Sequence, residues 1–338
     1  MQSELQLSKV QYGLGGYACL CVVVLGSLLP VRVFSYELFL GTHVLGVGFI
    51  GAIAVHTPYA MRYFLAGLVC YILNFIAVWF VKTFVGHARC EILPEGCTKL
   101  SIRLGSPMKT HHIGQHINLC IPALSPFQWH PFTITSVQQT NLVHQNSIEV
   151  CVIARGNFTR TLYDKVDPNQ ELSVFVSGPF GSQSIGPVDV LQSHTSVVIA
   201  CGGAGVTFGM RLLRELTDTL VMSLENDSTK DIYFSWSVRR PLELEWFREE
   251  LEQIHCIYET HEQFPNLHIQ LHITSKDATY ESNAPTVATH ASSAKVTVNV
   301  LTLHLVLCGP ASFNASFKNT VAFYKSSNVY LHCEDFGY

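Results

Sequence analysis

Three stretches, Tyr12 to Val31, Leu38 to Met61 and Tyr63 to Val81, contain no Asp, Glu, Lys or Arg. An α-helix rises about 1.5 Å per residue, so roughly 20 residues cross a hydrocarbon core about 30 Å thick. Each stretch meets that length, which predicts three transmembrane helices over about 12–31, 36–57 and 63–82. The alternative for the first stretch is a signal peptide, but it is longer than the usual apolar core of one and two more apolar stretches follow it. A chain with 48% hydrophobic and 14% charged residues is too apolar for an ordinary soluble enzyme, in keeping with a part that lies in lipid.

From His87 onward polar and apolar residues mix as in a water-soluble protein, over a length that suits two domains. The predicted organisation is a membrane segment at 1–86, a first soluble domain at 87–187 and a second at 188–338. A net charge of -4 offers no basic field for nucleic acid. The 11 cysteines form no C-x-x-C pair and read as reduced thiols. Arg32, Lys82 and Arg89 fall on one side of the predicted helices, Lys9 and Arg62 on the other, a tilt that puts the large domain in the cytosol. Asn157, Asn226 and Asn314 each begin an N-x-Ser/Thr sequon and are then chance matches.

His43 and His56 lie within the second apolar stretch, where an ionisable side chain marks a functional site by default. Imidazole is a standard haem ligand. The step from 43 to 56 is about 20 Å of helix, which suits two metal centres stacked across a bilayer, one per leaflet. On a straight helix the two side chains diverge by about 140°, so either the helix bends near Gly46, Gly48 and Gly51 or the centres are offset. Interfacial histidines near helix ends are the plain alternative. A bis-histidine haem needs a second ligand for each iron, and the other apolar stretches hold no histidine. An upstream helix pair outside this chain, a partner chain, or incomplete haem sites would account for that.

After the membrane segment, Lys99 to Leu104, His116 to Ile121, Ile148 to Ala154 and Glu171 to Val176 alternate as strands of an antiparallel barrel. Among them, His130-Pro131-Phe132-Thr133-Ile134-Thr135 gathers an imidazole, an aromatic ring and hydroxyls, a set able to stack on a ring and bind phosphate or carbonyl oxygens. Arg155-Gly156-Asn157-Phe158-Thr159-Arg160 leads from a strand into a predicted helix over Thr161 to Val166, whose N-terminus would favour an anion. A strand end and a capped helix are the plain readings of the two.

Ser196 to Ala200 is a short apolar strand that flows through Cys201-Gly202-Gly203-Ala204-Gly205-Val206-Thr207-Phe208-Gly209 into a helix over Met210 to Leu216. Strand, glycine turn and helix form a phosphate cradle, although the spacing departs from G-x-G-x-x-G. The next strand, Ile232 to Val238, ends in Arg239-Arg240, where guanidinium groups would fork onto a 2′-phosphate and favour NADPH, or would simply be solvated. Trp236 reads equally as core. Leu303 to Leu307 is a further strand, leading to Cys308-Gly309-Pro310, and the chain ends Glu334-Asp335-Phe336-Gly337-Tyr338. Cys308 has no evident His or Asp partner for nucleophilic work, so its expected role is placement.

Taken in order, His130-Pro131-Phe132-Thr133, Gly156-Asn157-Phe158-Thr159-Arg160, Gly178-Pro179-Phe180-Gly181, Cys201 to Thr207, Cys308-Gly309-Pro310 and the aromatic C-terminus resemble the ferric reductase and NADPH oxidase superfamily. Arg32 to His43, with Tyr36-Glu37 leading into the histidine helix, looks most like the fungal-type ferric reductases. The resemblance implies a helical membrane segment followed by a ferredoxin-reductase-like module, an antiparallel β-barrel for FAD and an α/β nucleotide-binding domain. It implies that His130, Pro131, Phe132, Thr133, Thr135 and Phe158 contribute to the FAD site, with Gly156 and Thr159 near the pyrophosphate. By the same analogy Gly202, Gly203, Gly205, Val206 and Thr207 hold NADPH, Arg239 lies near the ribose phosphate, and Cys308, Gly309 and Pro310 lie near the nicotinamide. Phe336 or Tyr338 would cover the flavin, and His43 and His56 would ligate heme b.

The implied activity is NADPH-dependent reduction of ferric ion or a ferric chelate, with cupric ion as a further acceptor, across a membrane that the family makes the plasma membrane. Rival expectations are a superoxide-generating NADPH oxidase and a truncated cofactor-binding membrane protein. Family members carry another histidine pair two helices upstream, which precedes the first residue of this chain. Ile113-Gly114 also stands where a Pro-Gly turn is usual.

Overall fold

The computed structural model describes residues 8–34, 36–108, 110–126, 128–137, 146–168, 170–181, 186–193, 196–222, 229–274, 288–289, 303–323 and 329–335. The chain divides into two compact units, Met1–Val81 and Lys82–Tyr338.

The first unit is helical: α1 (Ser8–Gly26), α2 (Leu29–Phe34), α3 (Tyr36–His56) and α4, which spans Ala60–Lys82. Three segments, Ser8–Gly26, Leu38–His56 and Ala60–Trp79, are long and apolar enough to cross a bilayer. The first expected helix is interrupted. Pro30 has no N–H for the carbonyl of Gly26, and its ring would clash there, so α1 ends at Gly26 and α2 restarts at Leu29. Helices α1 and α3 pack antiparallel along small residues. A Cβ on Gly16 would lie 3.0 Å from the Cβ of Ala52, one on Gly26 would collide with Thr42, and Gly48 lies against Cys19. Such close approach lets dispersion hold two helices together where lipid removes the hydrophobic drive between them.

In the second unit β1 (Thr83–Leu93), β2 (Cys97–Leu104), β3 (His116–Cys120), β4 (His130–Thr133), β5 (Ser147–Ile153), α5 (Asn157–Lys165) and β6 (Leu172–Phe180) come first. The strands form an antiparallel sheet in the order β4-β3-β6-β1-β2-β5. An isolated bridge from Ile134 to Val150, and a bond from the Thr135 amide to the Glu149 carbonyl at 2.9 Å, bring its two edges together into a nearly closed barrel. Alternation points Leu100, Ile102, Ile117, Leu119, Val150 and Val174 inward. Fully burying such a side chain contributes about 1.5–3 kcal/mol.

There follow α6 (Pro187–Ser193), β7 (Ser196–Gly202), α7 (Val206–Met222), β8 (Asp231–Val238), α8 (Arg248–Thr260), β9 (Asn266–Ile273), β10 (Ala288–Thr289), β11 (Leu303–Gly309), α9 (Ala311–Phe323) and β12 (Val329–Asp335). Their strands make a parallel sheet in the order β10-β9-β8-β7-β11-β12. Strand β7 is buried throughout, as a central parallel strand must be. Its Val197, Ile199 and Cys201 join the core with α7 and α8, while Val198 and Ala200 pack with Phe313 and Phe317 of α9. The strand order reverses between β7 and β11, which makes that boundary the switch point where ligands of open α/β sheets bind.

Side chains from α7 and α8 tie this sheet to the barrel. Arg214 donates to the Thr135 carbonyl at 2.7 Å and pairs with Glu250, which also takes Lys99 of β2 at 2.8 Å. Buried Arg211 donates to the His111 carbonyl at 3.4 Å and pairs with Glu215. Trp246 donates its indole N–H to the Pro94 carbonyl at 2.7 Å.

Candidate functional site

At one corner of the barrel, β4 carries His130 to Thr133, paired with β3 from Leu119 to His116. The His130 ring stacks on Phe158 of α5 at 4.1 Å between centroids and 22° between planes. The contact joins the two motifs on either side of β5. Burial lowers the His130 pKa, which keeps the ring neutral near pH 7. Its Nε2 is buried and has no hydrogen-bond partner among the described residues, so a bound group would satisfy it. Pro131 is exposed, whereas Phe132 and Thr133 are half-buried.

Helix α5 begins at Asn157, four residues before the start read from sequence, because Thr159 caps it. The Thr159 hydroxyl accepts from the amides of Arg155 (2.9 Å) and Gly156 (3.1 Å) and donates to the Gly156 carbonyl at 3.1 Å. Thr159 therefore shapes the turn with its hydroxyl, and the first helical amides, which have no acceptor within the helix, are what an anion would meet. A Cβ on Gly156 would face open space. Thr135 likewise turns inward: it is 1% exposed and its hydroxyl donates to the Glu149 carbonyl at 3.0 Å. These bonds hold the barrel edge closed.

At the switch point the two glycine turns meet. A Cβ on Gly205 would overlap the Cys308 carbonyl and come within 2.9 Å of the Gly309 amide, so only glycine lets the first turn lie this close to the end of β11. Gly203 sits at φ 53°, where glycine is favoured, and faces open space. Its carbonyl accepts the indole N–H of Trp236 at 3.1 Å, so this fully buried tryptophan is both core and anchor of the turn. Gly202 and Gly309 rest on the Phe313 ring, and Pro310 follows at the start of α9. Val206 is buried at the first position of α7, and the Thr207 hydroxyl donates to the Ala204 carbonyl at 3.0 Å.

The Cys308 side chain is fully buried in the core cluster with Cys201, its register partner across the two strands. Burial, and then Cys201, push its pKa well above the ordinary thiol value, so it stays a protonated thiol. What it presents to the switch point is its carbonyl. All 11 cysteines are free.

The two arginines ending β8 part company. Arg239 is exposed, and its backbone amide donates to Glu243 at 3.2 Å, while Arg240 forms an ion pair with Glu95 of the barrel. Phe336 and Tyr338 lie outside the described residues. Asn314, one of the sequon residues, is fully buried and donates its amide to the carbonyls of Gly309 (3.2 Å) and Glu334 (3.0 Å), pinning the ends of β11 and β12 together. Asn226 is not among the described residues. Trp236 is core, as the sequence allowed, but its anchoring of the turn was not legible there, and sequence reasoning missed the roles of Asn314, Arg211 and Arg214, although all three lie in segments it singled out.

In the helical unit, His43 and His56 keep separate faces. The Nδ1 of His43 lies 3.1 Å from the Phe39 carbonyl, and that of His56 lies 2.6 Å from the Lys9 carbonyl of α1. A carbonyl only accepts, so Nδ1 is the donor in both contacts, which leaves Nε2 as the ring nitrogen available to a metal. Gly13 makes room for the His56 ring, since a Cβ there would lie 2.8 Å from it. Imidazole nitrogens of this kind are donors that a haem iron would accept. Among the described residues no group of three or more His, Cys, Asp or Glu side chains forms a further metal site.

Two family models match the chain: an FAD-binding domain over residues 85–184 and a ferric reductase NAD binding domain over 194–298. Three relatives are informative. The probable cell surface ferric reductase kap2 of Aspergillus oryzae is 27% identical over 71% of this chain and 34% of its own length. Ferric reduction oxidase 5 of Arabidopsis thaliana is 30% identical over 60% of this chain and 28% of its own. A superoxide-generating NADPH oxidase heavy chain of Dictyostelium discoideum is 24% identical, with 74% and 40% covered. The chain thus spans roughly a third of the length of these relatives. Among solved structures, the FAD/NAD binding domain of a Vibrio cholerae nitric oxide dioxygenase superposes with TM-score 0.53 at 14% identity, covering 76% of this chain and 99% of that one. An Amycolatopsis cytochrome P450 reductase, GcoB, superposes with TM-score 0.52 at 15% identity, covering 76% and 70%. Both share the fold of the second unit, a flavin barrel with a nucleotide-binding sheet.

Proposed function

Because the chain belongs to the ferric reductase and NADPH oxidase superfamily, we propose that it carries electrons from cytosolic NADPH across a membrane to ferric ion or a ferric chelate. The observation that carries this reading is the meeting of the Gly203–Gly205 turn with Gly309 at the switch point, in one unit with the His130–Phe158 corner. FAD, when bound, supplies the exchange between hydride and single electrons, and heme b supplies single-electron carriers in the membrane.

The chain's own residues supply placement. Glycine amides and the N-terminus of α7 cradle the dinucleotide pyrophosphate, and Arg239 meets the 2′-phosphate. His130 Nε2 and the first amides of α5 would hold flavin oxygens, with Phe158 fixing the imidazole, and Phe336 or Tyr338 would supply an aromatic ring to cover the flavin. In the helical segment, His43 and His56 each offer Nε2 to one haem iron. In this reading the plasma-membrane segment ends near Val81 and not at residue 86, because Thr83 to Gly86 pair into the barrel as the start of β1; the barrel up to residue 187 binds FAD and 188–338 bind NADPH on the cytosolic side.

The test is a visible absorption spectrum of the detergent-purified chain before and after NADPH under anaerobic conditions. Flavin bleaching together with reduced haem bands supports the full path. Flavin bleaching without haem limits this chain to the dehydrogenase half, and no flavin at all refutes the assignment. Similarity to the Dictyostelium oxidase favours oxygen as a second candidate acceptor, which parallel assays for ferrous iron and superoxide distinguish.

A further inference from the structure

The hairpin between β1 and β2 turns through Pro94-Glu95-Gly96, and Glu95 adopts φ 58°, ψ 34°. That left-handed conformation suits glycine and is uncommon for a glutamate. It is the sole non-glycine residue at positive φ among the described residues. A backbone outlier of this kind raises the question of what its side chain does. The carboxylate, 18% exposed, pairs with Arg240, whose side chain is 67% exposed. The hairpin is held against the same turn a second time, through the Trp246 indole and the Pro94 carbonyl.

Arg240 directly follows Arg239 at the C-terminal end of β8, the strand after the glycine turn and its helix. In dinucleotide-binding folds that strand end faces the adenosine ribose, and an arginine there accommodates a 2′-phosphate. Two adjacent arginines therefore lie at the strand end where a phosphate would be read, and Glu95 of the barrel engages one of them. The carboxylate brings one negative charge to Arg240, whereas a phosphate monoester brings between one and two near neutral pH.

We propose that Glu95 is a specificity-determining residue: by holding Arg240 in an ion pair with the flavin barrel, it withholds one guanidinium from the 2′-phosphate and leaves recognition to Arg239. Glu95 thus lowers the preference for phosphorylated over unphosphorylated dinucleotide, trading that affinity for a link between the two halves of the unit. The inference rests on the NADPH reading above.

The test is calorimetric titration of the full chain in detergent with adenosine 2′,5′-bisphosphate and with 5′-AMP, which requires no turnover. Glu95→Gln keeps the side-chain length and removes the charge. The ratio of the two affinities should rise roughly three- to tenfold, the gain of one charge-assisted contact against part of its cost. In the double variant E95Q/R240Q that gain should vanish. Glu95→Gly, which the left-handed backbone favours, should raise the ratio by an independent route and guards against misfolding of the first variant. A ratio within twofold of wild type in both single variants overturns the proposal, as does a gain that survives in the double variant. A wild-type chain that does not prefer the bisphosphate overturns the NADPH reading itself, and a preference that survives Arg239→Gln overturns the role of that residue.

Discussion

His111 precedes β3 and is 5% exposed, and its carbonyl accepts from buried Arg211 of α7. Burial first, and the Arg211 charge second, lower its pKa to about 4 from 6.5. In the unfolded chain the ring takes a proton as pH falls through 6.5, while in the folded chain it stays neutral until about 4. The unfolded state therefore binds more protons in that window, and stability contributed by the neutral ring is lost as pH falls through it. At 1.36 kcal/mol per pH unit, the loss between pH 7 and 4.5 is about 2–3 kcal/mol. Glu215 and Asp218 have pKa values raised by burial, which acts with the opposite sign, but they are common to wild type and variant. The measurement is urea unfolding of wild type and His111→Leu at pH 7.0, 6.0, 5.0 and 4.5, followed by the fluorescence of buried Trp236 and Trp246. Wild type should lose about 2–3 kcal/mol more than the variant across that range. Parallel profiles would refute the reasoning.

Gly205→Ala should force the glycine turn away from the Cys308 carbonyl, costing about 1–3 kcal/mol of stability and most of the affinity for adenosine 2′,5′-bisphosphate, whereas Gly203→Ala should cost about 1 kcal/mol through its φ alone. Thermal unfolding and titration check both. Thr135→Val should lower stability by about 1 kcal/mol, because one buried bond to Glu149 is lost. Flavin content at 4 °C should stay at wild-type level if Thr135 closes the barrel and touches no cofactor. His43→Ala should remove the haem signal associated with that histidine, and unchanged haem content in the purified protein would end its role as a ligand.

Much of this architecture was legible because hydrophobic period and glycine spacing are local. The three apolar helices, the strand of the glycine turn and the barrel strands β2, β3, β5 and β6 all follow from such patterns. Strand β1 escaped notice because Thr83 to Leu93 abuts the apolar α4 and mixes charged with apolar residues around Gly86. That glycine is needed because a Cβ would collide with the Arg103 carbonyl, a contact from another strand. The break at Pro30 was readable and was overridden by the long apolar run around it. The hydroxyls of Thr135 and Thr159 look like ligand groups in sequence, yet the structure turns both toward backbone, Thr159 within its own turn at Arg155 and Gly156, and Thr135 onto Glu149, a partner that another strand supplies. The same holds for Glu95 with Arg240 and Lys99 with Glu250, pairs whose members lie far apart in sequence.

The meeting of Gly205 with Gly309 also sets an order of events during synthesis. Strand β7 leaves the ribosome with its turn and α7 attached, and β8 and β9 can pair with it on one side. The opposite wall comes from β11, which begins at Leu303, about 100 residues after β7, so the cradle stays one-sided until that later strand has emerged. Closing a contact over so long a loop is slow, and the exposed edge of β7 is vulnerable in the meantime. A nascent chain arrested before Leu303 would hold a flavin barrel and half a nucleotide site, with an unpaired central strand that invites chaperones or aggregation.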